Sequence, residues 1–198
     1  MDGRQTPPRQ RILAAAMKLF YRHGIRAVGV EAIADAAATN KMTLYRHFAS
    51  KEVLVAEYLR EVAQAADRCW ERIDHACPGD PRAQLTAWLE EMAKRLHAQD
   101  GRGCALANAA IELPEKDHPA RRVIEEYKRA QRSRLIRLSE QAGLSEPEVL
   151  ADQLHLLIEG ARVTAQSVGT EGLVERIVYM GKAMIAAHAP GSARNALG

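Results

Sequence analysis

Ile12, Leu13, Ala16, Leu19 and Phe20 recur at helical spacing and define one apolar face of a first helix. Thr6 stands where it can cap that helix, and a proline at the first helical position has no amide hydrogen to leave unpaired. Gly24 is placed to end it, since glycine takes the left-handed conformation that a C-terminal cap requires. The stretch VEAIADAAA then puts Ile33, Ala34 and Ala37 on one side of a second helix, and after the link AAT, Asn40 caps a third. In that third helix Leu44 and Phe48 point together into the head, while Met42, Thr43 and Arg46 point the opposite way. Tyr45 and His47 lie on its flanks and Lys41 in its first turn. Three short helices with a tight link between the second and third describe a helix-turn-helix. Ser50 caps the next helix, and Lys51 sits in its first turn. That is a poor place for a cation beside a helix dipole, but a good one if lysine and backbone amides jointly hold a phosphate.

The remaining chain reads as six more helices. SKEVLVAEYLREVAQAADRCWERIDHAC is a long fourth that ends before Pro78, and DPRAQLTAWLEEMAKRLHAQ is a fifth. GRGCALANAAIEL is a short, mostly apolar sixth, and HPARRVIEEYKRAQRSRLIRLSEQAG a charged seventh closed by Gly143. SEPEVLADQLHLLIEGARVTAQSVG and EGLVERIVYMGKAMIAAH are the last two. They are apolar over wide arcs: Leu150, Leu154, Leu157, Ile158 and Ala161 on one, Leu173, Ile177, Met180, Gly181 and Met184 on the other. The small residues Gly160, Ala161, Gly181 and Ala183 allow close helix approach. The expectation is an all-α chain of about nine helices. Its domains would be a helix-turn-helix head over 1–51, a helical effector-binding and dimerisation body over 52–189, and a disordered tail over 190–198.

Composition agrees with helix. Aromatics make up 5% of the 198 residues, and Ala, Leu, Glu, Arg and Gln abound. Charge adds something new when it is divided. Residues 1–51 hold nine Lys and Arg against three Asp and Glu, a net of +6, whereas the remaining 19 and 22 leave −3. A basic head on a mildly acidic body is the asymmetry expected when one end meets a polyanion. With no long apolar run and no leader pattern, the chain reads as cytoplasmic, with no membrane partner. Cys69, Cys77 and Cys104 are odd in number and lack C-x-x-C spacing, which suits a reducing compartment.

Residues 9–58 resemble the TetR family of transcriptional repressors. The resemblance lies in RQRILAAAMKLFYRHGIRAVGVEAIADAA followed by TLYRHFASKEVL, with Ile33, Ala34, Ala37, Thr43, Leu44, Tyr45, His47, Phe48, Ser50, Lys51 and Glu52 matching the family pattern. It implies that Thr43, Tyr45, His47 and Lys51 hold phosphates, and that Lys41, Met42 and Arg46 lie where bases are read. The physical roles fit: hydroxyls and cations position a protein on DNA, and arginine pairs bidentately with guanine. The chain departs from the pattern at Ala38 in place of a turn glycine, at Thr39, at Asn40 for a serine cap, and at Met42 for a glycine. Ala38 implies either a turn with negative φ or some strain. In the family the last two helices pair with a partner's copies, so a homodimer on a palindromic operator is expected, with Ala161 and Met184 as interface positions.

Other chemistry is sparse. No G-x-G-x-x-G, P-loop or H-E-x-x-H occurs, and Cys69, His75 and Cys77 do not reach metal-ligand spacing, so neither enzyme activity nor a cofactor or metal is expected. A small-molecule effector pocket is expected among helices four to eight, lined by Trp70, Trp88, Met92, Cys104, Asn108 and His155. Cys104, beside Arg102, is a second candidate trigger as an oxidant or electrophile sensor. The expected function is a ligand-responsive DNA-binding regulator, most simply a repressor that an inducer releases. The alternative is an all-α enzyme or interaction protein with an incidental basic head.

Overall fold

A computed structural model of the chain describes residues 6–98 and 102–191, so the expected tail beyond Gly191 lies outside the described residues. Nine helices and no strands are present among them: α1 (Pro8–His23), α2 (Val30–Ala36), α3 (Lys41–His47), α4 (Lys51–Ala76), α5 (Pro81–Ala98), α6 (Ala105–Glu112), α7 (Pro119–Gln141), α8 (Pro147–Val168) and α9 (Leu173–Ala187). None is long and apolar enough to cross a membrane.

The ends of these helices follow local chemistry. Pro8 occupies the first turn of α1, and Gly24 closes it with φ 86° and its N–H on the Phe20 carbonyl. The expected Thr6 cap does not form. Pro7 takes the cap position with no side-chain hydrogen bond, and the Thr6 carbonyl instead accepts from Arg11 Nη1 at 3.2 Å. Asn40 does cap α3, its Oδ1 accepting the Thr43 N–H at 2.9 Å. Ser50 Oγ accepts the Val53 N–H at 3.3 Å at the start of α4. The sixth helix starts later than its apolar run implies. Gly103 has φ 67°, a left-handed backbone that cannot continue a helix, so α6 begins at Ala105.

By its contacts the chain divides into two compact units, Met1–Ala65 with Ala105–Glu126, and Ala66–Cys104 with Tyr127–Gly198. The N-terminal unit is built on α1, α2 and α3 packed pairwise. Its core holds Ile12, Ala16, Phe20, Ile33, Leu44 and Phe48, with Leu54, Val55, Tyr58 and Leu59 from α4 buried too. Burying a side chain of this size stabilises by about 1.5–3 kcal/mol, which fixes so short a helix as α3 where propensity alone would not. The α6 helix belongs to this unit.

In the C-terminal unit α5, α8 and α9 pack on one another. Their core contains Leu85, Trp88, Leu89 and Met92 from α5, Leu150, Leu154, Ile158 and Ala161 from α8, and Leu173, Ile177 and Ile185 from α9. Gly181 is buried against Leu89, where any Cβ would collide with the leucine side chain. The wide apolar arcs of the last two helices are therefore largely spent inside the chain. Ala161 is 3% exposed and faces the core, whereas Met184 packs against the same core but stays half-buried. The outward face carries other residues: Val149, Leu156 and Val163 on α8, with Tyr179 and Met180 on α9, all exposed. Gly160, with open space where a Cβ would stand, lies on that face with Ala183.

Candidate nucleic-acid interface and effector site

The recognition surface follows from how α3 is anchored. Leu44 and Phe48 are 0% and 1% exposed, which turns the opposite face of α3 outward. There Met42 is 76% exposed and Tyr45 42%, with Lys41, Arg46 and His47 also exposed and Thr43 half-buried. Every expected DNA-contacting residue of α3 except Thr43 thus stands open to solvent. Lys41 is held in place by Glu31 of α2, Nζ to Oε1 at 2.6 Å. That hydrogen bond raises the lysine above its ordinary value and lowers the glutamate below its own. Arg46 has no ion-pair partner among the described residues.

Lys51 differs from the expectation in its surroundings. It is half-buried, and its Nζ lies 6.0 Å from the centre of the Phe20 ring, a cation–π distance. Burial pushes its ammonium down from the usual lysine range. It borders a cleft of about 360 Å³ together with Arg26, Glu52, Val55, Leu113 and His118.

The turn between α2 and α3 carries the strain that an alanine there demands. Ala38 has φ 49°, left-handed for a residue with a Cβ, so it keeps the conformation a glycine would take. Arg11 Nε donates to the Ala37 carbonyl at 3.1 Å and its Nη2 to the Ala38 carbonyl at 3.4 Å, which ties the turn to α1. Glu112 performs a similar service for the turn after α1: its Oε2 accepts the N–H of Ile25 at 2.6 Å and of Arg26 at 3.0 Å. Arg9 sits 5.0 Å over the Phe48 ring and pairs with Glu57 at 2.9 Å. Sequence reasoning passed over Glu31, Arg11, Arg9 and Glu112. No periodicity marks partners that lie far apart along the chain.

Of the six expected effector residues, five lie in the C-terminal unit. Trp70 and Trp88 stack on each other with ring centres 6.1 Å apart, and Arg134 lies 4.5 Å over Trp70 while pairing with Asp74. They are core. Met92 is buried, and its sulfur receives Arg162 Nη2 at 3.6 Å. Cys104 and His155 are half-buried in the same C-terminal unit, whereas Asn108 lies on α6 in the other. Tyr127, Lys128, Glu159 and Arg162, absent from the expectation, make a polar cluster in the C-terminal unit. Its signal in the sequence is Arg162, a cation one turn beyond Ile158 on an apolar stripe. Burial, with Cys104 second, pushes the Tyr127 phenol up to about 12. Burial also opposes the Arg162 charge, yet Cys104, Glu159 and Tyr127 together hold that arginine above its ordinary value.

Comparison with known proteins now decides the family. Residues 12–58 match the bacterial regulatory proteins of the tetR family. The whole fold superposes on a TetR transcriptional regulator from Streptomyces avermitilis at 32% identity and TM-score 0.78, over 92% of this chain and 98% of that one. The chain belongs to the TetR family. A TetR-family transcriptional regulator from Streptomyces coelicolor matches at 25% identity and TM-score 0.86, over 91% of this chain and 95% of that one. Among curated relatives, the HTH-type transcriptional regulator UidR of Escherichia coli is 40% identical over 78 residues, 37% of this chain. That match spans 40% of the UidR length. The HTH-type transcriptional repressor KstR2 of Mycobacterium tuberculosis is 43% identical over 58 residues, 29% of each chain.

Proposed function

We propose that the protein is a ligand-responsive transcriptional repressor that binds a palindromic operator as a homodimer and is released by a small-molecule inducer. The observation that carries this reading is the divided surface of α3. Leu44 and Phe48 are sunk in the head while Met42, Tyr45, Arg46 and His47 stand outward on a short helix. A helix of that width fits the major groove, and a net of +6 over residues 1–51 supplies the attraction to phosphate. Arg46, with no ion-pair partner among the described residues, is the side chain placed to pair with a guanine edge. Lys41, Met42 and Arg46 read bases, whereas Thr43, Tyr45, His47 and the tip of Lys51 hold phosphates.

Two-fold symmetry comes from α8 and α9. Leu156 is 69% exposed, Val163 64% and Tyr179 76%, more apolar surface than a solitary helix pair leaves to water. The open Cβ position of Gly160 lets a partner helix approach closely. We take residues 1–51 as the DNA-binding domain and 52–189 as the body that carries the inducer site. Selection of bound duplexes from a random pool tests the reading. It predicts enrichment of an inverted repeat whose half-sites lie about one helical turn or more apart, and enrichment of no common sequence contradicts it.

A further inference from the structure

The polar cluster of the C-terminal unit is unbalanced in charge. Glu159 Oε1 accepts both Lys128 Nζ, at 2.8 Å, and Arg162 Nη1, so two cations share one carboxylate. Among the described residues, neighbouring charges do not make up the difference. Arg132 is paired bidentately with Asp152 at 2.6 and 2.9 Å, and Arg95 with Glu91 at 3.1 Å. The titrating groups do not either. Arg162 and Lys128 outweigh the burial that opposes the Glu159 charge and hold it below the usual carboxylate range, hence ionised. Burial, aided by Lys128 and Arg162, pushes His155 down and keeps it neutral at pH 7. Tyr127 stays a phenol, a hydrogen-bond donor. Among the described ion pairs, two cations on one carboxylate leave a surplus of one positive charge, where the Arg162 side chain is only 13% exposed.

Two groups in this region lack good partners. Among the described residues, the second arm of Arg162 donates to the thioether of Met92, a weak acceptor for a guanidinium. Gln131, 5% exposed and one turn along α7 from Tyr127 and Lys128, has its Oε1 buried with no hydrogen-bond partner. Such an unpaired carbonyl is costly unless something supplies a donor. A surplus cation and a guanidinium edge facing sulfur describe a place built for a molecule that brings an anion.

We propose that Arg162 is the anchor for an organic acid effector, whose carboxylate replaces the Met92 sulfur on the guanidinium edge while its apolar body packs against Met92 and Ile158. Met92 is suited to yielding, since an unbranched thioether side chain repacks at little cost. The inference rests on reading the protein as ligand-responsive, and it names the chemistry of that ligand.

Octanoate, benzoate and salicylate, each beside its primary amide, test it on the full-length protein. Thermal shift and isothermal titration read binding, and gel retardation of the operator is read in parallel. At least one acid should raise the melting temperature while its amide does not. Arg162→Gln should weaken that acid about tenfold or more, as loss of a charge-assisted pair implies. Arg162→Lys, which keeps the charge but loses the forked edge, should fall between, and it carries the test if Arg162→Gln does not fold. Equal binding of acids and amides, no binding by any of the six, or undiminished acid binding by either variant overturns the proposal. Acid binding that leaves the operator complex intact supports the anion site and removes the inducer reading instead.

Discussion

Glu112 accepts the backbone N–H of Ile25 at 2.6 Å, so the last residue of α6 holds the turn that follows α1. The same carboxylate oxygen takes Arg26 N–H, and the Arg26 side chain reaches Glu115 at 3.1 Å. Gly24, beside them, leaves no room to spare: a Cβ would stand 3.0 Å from the Glu112 carboxylate. The α6 helix is joined through Ala105 to Cys104 and Gly103, and Gly103 is close-packed on Gln166 of α8.

Glu112→Ala should remove two charge-assisted hydrogen bonds and lower stability by about 1.5–3 kcal/mol, read by urea unfolding. Glu112→Gln keeps an acceptor and should lose about half as much. If α6 transmits the signal, Glu112→Ala should also raise the inducer concentration needed for operator release. An unchanged induction curve in a destabilised protein makes Glu112 a structural tie only.

On the recognition face, Arg46→Ala should cost about 1–3 kcal/mol of operator binding and relax preference at one position per half-site. Tyr45→Phe and Lys51→Ala should weaken all sequences alike, and Lys51→Ala should reduce the salt slope by about one unit. Because Lys51 packs on Phe20, Lys51→Ala should also lower head stability slightly, so thermal melts belong beside the binding curves.

Assembly separates the outward face from the inward one. Leu156→Arg and Val163→Arg should give folded monomers by sedimentation, with operator affinity reduced to that of a single half-site. Ala161→Arg places a charge among Leu154, Ile158 and Leu89 and should unfold the body, a loss of several kcal/mol. Dimers that persist in both outward variants contradict the α8 and α9 interface.

His155 adds a pH dependence. Its folded value lies below the ordinary 6.5, held down first by burial and then by Lys128, with Arg162 adding to this and Glu159 and Asp152 opposing. The unfolded chain therefore binds the proton more readily. Stability is full above pH 6.5 and falls as the pH drops from there through the folded value. His155→Gln should flatten the melting temperature between pH 7 and about pH 5. A slope unchanged by that substitution assigns the pH effect to other groups.

Features set by neighbouring residues were legible in the sequence. The Asn40 cap, the Gly24 stop, the nine helices and the outward face of α3 each follow from residues within one or two turns. Pairings across long separations were not: Ile25 with Glu112 spans 87 residues, Arg11 with Ala37 26, and Lys41 with Glu31 10. The division of α8 and α9 was half legible. Periodicity found their apolar arcs but could not tell the stripe facing α5 from the one facing out, since both are apolar. The tryptophans suit either pocket or core, since large aromatics at helical spacing serve both, and their burial and mutual stacking place them in the core.

Titration of a duplex containing the selected inverted repeat, against one with a single half-site scrambled, tests the central claim most directly. Fluorescence anisotropy at several salt concentrations reads it. The account predicts binding to the intact repeat at least a hundredfold tighter than to the scrambled duplex, with log affinity falling linearly with log salt for both. Equal affinity for the two duplexes at every salt concentration would contradict it.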